Sequence, residues 1–106
     1  MTSLKQSERA MGDALTYRFR LYVAGDGTNS VQATANLAAL CRTHLADRSV
    51  IEIVDVFQEP MRALEDGVFM TPTLLKLAPA PERKIVGTLS QMSSVRAALN
   101  LGEAEA

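Results

Sequence analysis

Tryptophan is absent from this 106-residue chain, cysteine and histidine occur once each, and neither sign of charge predominates. Each shortage removes a class of function. With Cys41 alone no intramolecular disulfide can form, which fits a reducing compartment. Cys41 and His44 stand three apart and could share a helix face, but a metal site needs at least one more soft or imidazole ligand than they supply. Tyr17, Phe19, Tyr22, Phe57 and Phe69 are the whole aromatic complement, a thin platform for stacking single-stranded bases. A net charge of −1 gives no field to concentrate nucleic acid or anionic lipid. No apolar run approaches the ~20 residues that span a bilayer. Residues 1–16 are polar and carry no apolar leader stretch. A cytoplasmic protein is expected, with no metal, no cofactor, and neither nucleic acid nor membrane as partner.

What is present reads as one domain with a modest core. Residues 1–16 are expected to form a flexible arm and residues 102–106 a tail. Tyr17, Phe19, Leu21 and Val23 alternate with Arg18, Arg20 and Tyr22, the period of a strand, which Gly25 and Gly27 stop. Ser30 is placed to cap a helix from Val31 to Ala46, with Leu37, Leu40, Cys41 and Leu45 on its apolar face. The β-branched run from Ser49 to Phe57 predicts a second strand, parallel to the first across that helix. Pro60 opens a short helix that Gly67 ends. Thr73–Leu77 and Lys84–Val86 flank a Pro79-Ala80-Pro81 turn as a hairpin. Ser90 or Ser93 starts a final helix through Leu101. The order βαβαββα predicts an α/β fold of thioredoxin-like type, a mixed four-stranded sheet with helices on both faces.

Catalytic candidates are few. Cys41 lies mid-helix on the core-facing track, away from the helix N-terminus that would lower its pKa, and reads as a buried structural thiol. The turn Gly25-Asp26-Gly27-Thr28-Asn29-Ser30 resembles a dinucleotide fingerprint, with Asp55 mimicking its ribose acid. Yet Asp26 puts negative charge where phosphate would lie, and the spacing to Asp55 is too long. Glu52, Asp55, Glu59, Glu65 and Asp66 show no pairing and read as solvated charges. Arg83-Lys84 reads as edge protection on the hairpin. No catalytic residue is assigned.

Thr71-Pro72-Thr73 stands where a thioredoxin-like domain carries the proline that faces its first strand–helix turn, and that turn here has no cysteine. Leu21-Tyr22-Val23-Ala24-Gly25, Ile53-Val54-Asp55-Val56, Thr71-Pro72-Thr73-Leu74 and Pro79-Ala80-Pro81-Glu82-Arg83-Lys84-Ile85-Val86-Gly87 together resemble the KaiB family of circadian-clock proteins, over about residues 17–101. Gly25, Pro72, Pro81, Arg83 and Gly87 stand at the family's characteristic structural positions. The resemblance implies a non-enzymatic adaptor that docks on KaiC, a double-ring P-loop ATPase, and acts on its phosphorylation cycle. Relatives include the sensor domain of a clock-output histidine kinase, so such a kinase is a second partner class. The family is also known for fold switching, in which the C-terminal half repacks between a tetrameric resting state and a thioredoxin-like bound state.

By that resemblance the partner-binding residues are Val50, Ile51 and Glu52 on the second strand with Gly67, Val68, Phe69 and Met70 before the proline turn. Phe69 and Met70 have two readings, exposed anchors or core filling beneath Thr71-Pro72. This chain departs from the family at Gln32, Glu52 and Gly67, where clock members tend to be basic. It also has Ala98 and Asn100 where they often have glycine and aspartate. Alanine favours helix over glycine by ~1 kcal/mol, which biases the chain toward the thioredoxin-like form at rest. The alternatives are a thioredoxin-fold redox enzyme using Cys41 and a sensor domain detached from its kinase. The open edges of such a sheet allow a homo-oligomer.

Overall fold

The structure is a computed structural model that describes residues 16–46 and 48–99; the expected arm up to residue 15, the tail and Asn100 lie outside those residues. Its elements are β1 (Tyr17–Val23), α1 (Thr28–His44), β2 (Ser49–Asp55), α2 (Pro60–Glu65), β3 (Thr73–Ala78), β4 (Arg83–Val86) and α3 (Met92–Ala98). The sheet runs β2-β1-β3-β4, with β1 and β2 parallel and the other two pairings antiparallel. Parallel neighbours need a crossover, and α1 supplies it. This is the expected βαβαββα order and mixed sheet.

Alternation along β1 divides the core in two. Phe19, Leu21 and Val23 pack with Leu37, Leu40, Cys41 and Leu45 of α1 and its C-terminal turn, and with Val95 and Leu99 of the α3 end. Tyr22 points the other way, to Val54, Ala63, Val68 and Leu75 under α2. Arg20 shares that second face. The larger layer holds the fold together, and the smaller one carries the surface considered below.

Helix α1 ends at His44, two residues before the expected Ala46, and three other boundaries differ from the sequence reading for a local reason. Helix α1 begins at Thr28 with Gly27 as its N-cap, so Ser30 is not the cap. Ser30 is buried inside the first turn, where its Oγ accepts the Ala24 N–H at 3.0 Å and ties the end of β1 to the helix. Strand β2 stops at Asp55 because Asp55 Oδ1 accepts the N–H of Phe57 at 2.9 Å and of Gly25 at 3.2 Å, turning the chain. That carboxylate serves the backbone. Helix α3 starts at Met92 with Gln91 as N-cap, so neither Ser90 nor Ser93 caps it, and its last residue is Ala98; the expected end at Leu101 lies outside the described residues.

A buried lysine closes the far end of the larger core. Lys76 is 1% exposed, donates Nζ to the Leu99 carbonyl at 3.3 Å and lies 5.6 Å from the Tyr17 ring centroid. A cation at the C-terminal carbonyls of α3 is favourably placed against the helix dipole. Burial, with a smaller push from the charge of Arg83, draws its pKa below the usual lysine value.

Candidate partner-binding surface

The surface is built on the end of α2. Asp66 is the C-cap and Gly67 follows at φ +71°, a conformation that glycine adopts freely. The Gly67 N–H donates to the Leu64 carbonyl at 3.0 Å and the Val68 N–H to the Ala63 carbonyl at 2.8 Å, the paired bonds of a Schellman termination. Val68 is buried against Ala63 in the smaller core, so the chain leaves the helix in a fixed direction. Lys84 Nζ donates to the Gly67 carbonyl at 2.8 Å from the neighbouring strand β4. Lys84 therefore does more than protect a sheet edge.

From this base the next two side chains project outward. Phe69 is 81% exposed and Met70 62% exposed, so they do not fill the core beneath the proline turn. The turn itself is tight. Thr71-Pro72 is cis, Thr73 Oγ1 donates to the Met70 carbonyl at 2.6 Å, and the Gly87 N–H donates to the Pro72 carbonyl at 2.9 Å. Gly87 thereby links the end of β4 to the proline. Across a groove of about 540 Å³ stand Phe57, Pro60 and Leu64, with Phe57 itself 74% exposed. A side chain at Gly25 would meet the Phe57 ring at 3.5 Å, and its φ of +61° disfavours one in any case. Exposed aromatic and methionine side chains gathered at one place make this the candidate interaction surface.

A polar network joins this loop to β2. Arg20 Nε lies 2.9 Å from Glu52 Oε1, and Arg20 Nη1 lies 2.9 Å from Asp66 Oδ2. Arg62 lies 2.9 Å from Glu52 and 3.3 Å from Glu59. The Tyr22 hydroxyl donates to Asp66 Oδ2 at 2.6 Å, beneath the network. Glu52, which reads from sequence as a solvated charge, is thus held by two arginines. Strand register explains the first pair, because Arg20 and Glu52 are direct partners across β1 and β2. Of the remaining expected residues, Val50 is exposed on the open β2 edge and Ile51 is half-buried against the larger core. Pro81 and Arg83 are exposed on the hairpin, and Ala98 is the last residue of α3. Arg20, Tyr22, Phe57, Arg62 and Leu64 were not singled out by sequence; the alternation of Arg20 and Tyr22 along β1 was the one available signal.

The network has an electrostatic signature. The hydrogen bond from Tyr22, opposed in part by burial and aided by Arg20, holds the Asp66 carboxyl below the usual aspartate range. Arg20, then Arg62, lower Glu52 in the same way. Burial and the bond to Asp66 raise the Tyr22 phenol to about 12. A carboxylate whose pKa is lower folded than unfolded adds stability above its unfolded value, near 4, and loses it as pH falls through the folded value. Acid unfolding followed by circular dichroism should therefore show stability level from pH 7 to about 5 and falling below about 4. Asp66→Asn should be less stable at neutral pH and converge with the parent curve in acid. Parallel curves throughout would remove Asp66 from this role.

Cys41 is buried, and burial raises its thiol pKa, the opposite of what a nucleophile needs. Among the described residues no cluster of three or more His, Cys, Asp or Glu could hold a metal, and no helix is long and apolar enough to cross a membrane.

Comparison with known proteins agrees with this fold. Among solved structures, the N-terminal domain of Synechococcus elongatus SasA superimposes with a TM-score of 0.67 at 16% identity, covering 83% of this chain and 87% of that one. Chloroplastic thioredoxin z gives 0.66 at 16% identity, covering 92% and 90%. These likenesses establish the thioredoxin-like fold. Circadian clock protein KaiB3 of Synechocystis sp. is 39% identical over 82 residues, 77% of this chain and 80% of the relative. Circadian clock oscillator protein KaiB of Picosynechococcus sp. is 42% identical over 86 residues, 81% and 83%. The KaiB domain model matches residues 20–101, about three-quarters of the chain. With the fold, the proline turn and the relatives in agreement, this chain belongs to the KaiB family.

Proposed function

We propose that this chain is a non-enzymatic, cytoplasmic adaptor that docks on a KaiC-type double-ring P-loop ATPase and modulates its cycle. The observation that carries the reading is the display of Phe69 and Met70, exposed on a loop whose base is fixed by the Schellman turn, Lys84 and the Asp66 network. A rigid base under apolar anchors reduces the ordering cost of association. Glu52 and Val50 extend the same face along β2, and Val68 positions the loop from below. The buried, pKa-raised Cys41 speaks against a redox enzyme.

The test is co-sedimentation of the purified chain with a KaiC-type ATPase from the same cells, in the presence of ATP. A complex that Phe69→Ser with Met70→Ser abolishes is the expected result. Absence of any complex with the parent chain would overturn the adaptor reading.

The thioredoxin-like form is proposed as the resting form. Ala98 closes α3, so Ala98→Gly removes helical preference at a terminal position, where the effect is at most about 1 kcal/mol. NMR secondary shifts of Ala98→Gly should show less helix across Met92–Ala98 than in the parent. A parent chain whose last twenty residues were mainly strand would contradict this.

A further inference from the structure

Strand β4 ends the sheet on the side away from β2, and its pairing with β3 has a readable phase. The Gly87 N–H donates to the Pro72 carbonyl, and Arg83–Val86 continue that antiparallel register opposite Thr73–Lys76. Bonded and non-bonded pairs alternate along such a ladder. Ile85 and Arg83 therefore turn their backbone groups to β3, while Lys84 and Val86 turn theirs outward. Among the described residues no loop or helix takes up these outward groups.

A groove of about 480 Å³ runs along this free edge. One wall is Lys84, Ile85 and Val86. Consecutive strand side chains alternate faces, so a groove that touches all three lies at the edge itself. The other wall is Gln91, Ser94, Val95 and Ala98, spaced as one face of α3. The connecting turn is held in place: Asn36 Nδ2 donates to the Thr88 carbonyl at 2.8 Å, and Leu89 is buried in the larger core.

Charge selects the occupant. No carboxylate lines the groove. Arg83 shares a strand face with Ile85, just before the lining run of β4, and directly across from it on β3 is the buried Lys76. Like charges so placed repel, and Arg83 helps to draw the Lys76 pKa down. Arg83, Lys84 and Lys76 donate to the carbonyls of Glu82, Gly67 and Leu99, and none has a carboxylate partner among the described residues. Carbonyl bonds leave those charges uncompensated. The β4 strand of a second copy would bring the same cations to the edge. We propose that this groove docks an extended acidic segment of a partner protein as a fifth strand. Its backbone bonds to Lys84 and Val86, its apolar residues pack against α3, and its carboxylates face Arg83 and Lys84. The groove shares no lining residue with the one beside Phe69, so the inference stands apart from the adaptor reading.

The test uses the full chain labelled with ¹⁵N and two acetylated peptides, Val-Thr-Val-Ile between pairs of glutamates and the same core between pairs of lysines. The glutamate-flanked peptide should bind at least about tenfold more tightly and shift the amides of Lys84, Val86, Gln91 and Ser94. Val86→Pro removes an outward donor and none that β3 uses. Circular dichroism should show its fold intact while binding weakens at least about tenfold. Arg83→Glu, at an exposed side chain, should cut the preference between the peptides at least about threefold and keeps the test readable if Val86→Pro unfolds. Equal binding of the two peptides, a folded Val86→Pro that binds like the parent, or an unchanged preference in Arg83→Glu would each overturn the inference. So would shifts confined to another face, self-association through β4 without peptide, or no binding at millimolar peptide.

Discussion

Replacing Phe69 and Met70 together by serine is expected to weaken the ATPase complex at least about thirtyfold while leaving the fold intact. The binding side of the expectation comes from burial. Covering one such side chain is worth ~1.5–3 kcal/mol. Central aromatic anchors commonly cost about 2 kcal/mol or more on truncation, and every ~1.4 kcal/mol is a factor of ten. The stability side comes from exposure: both side chains already face solvent, and surface substitutions of this kind stay within about ±0.5 kcal/mol. The two readouts must separate. A variant that melts with the parent but no longer co-sediments assigns the loop to binding. One that loses both would show that the side chains support the core instead.

The second large effect is expected at Tyr22. Its ring is fully buried, and its hydroxyl reaches Asp66 Oδ2 at 2.6 Å. Hydrogen bonds to a charged group contribute about 1.5–3 kcal/mol. Asp66 keeps Arg20 as a partner after Tyr22→Phe, so the loss should fall near the lower end, about 1.5 kcal/mol. For a domain of this size that corresponds to a melting temperature lower by roughly 6–12 °C. A double-mutant cycle with Asp66→Asn isolates the pair, and less than additive loss is the expected outcome. Additive losses would mean the two side chains act independently. Because Asp66 begins the loop that carries Phe69, Tyr22→Phe should also weaken the ATPase complex, though less than removal of the anchors themselves. Arg62–Glu59, three apart on an exposed helix face, should contribute little.

Much of the fold was legible because local signals agreed with the final packing. The alternation of β1, the β-branched run of β2, Pro60 at the first turn of α2 and Gly67 after it all point to the elements observed. The failures share a cause. Ser30 has the chemistry of a cap, but its hydroxyl is claimed by the Ala24 N–H of the preceding turn, a contact that exists only once β1 and α1 meet. Glu52 and Asp66 lie 32 and 46 residues from Arg20, and only strand register and the placement of α2 bring them to one guanidinium. Phe69 and Met70 could not be assigned to core or surface from a proline turn that can face either way. Residue type announced the elements; the surface came from their juxtaposition.

The same surface gathers apolar side chains at the place where a redox domain of this fold would carry its reactive group. The turn after β1 holds Gly25 and Asp26 and no thiol, and the Phe57 ring lies against Gly25. The groove beside it is lined by apolar side chains, among them Phe57, Leu64, Phe69 and Met70.

Hydrogen–deuterium exchange of the chain alone and mixed with the KaiC-type ATPase and ATP tests the central claim most directly. Protection on binding should concentrate at Phe57, Gly67–Thr71 and Val50–Glu52. Protection confined to the β4–α3 side, or an unchanged exchange pattern in the presence of the ATPase, would contradict it.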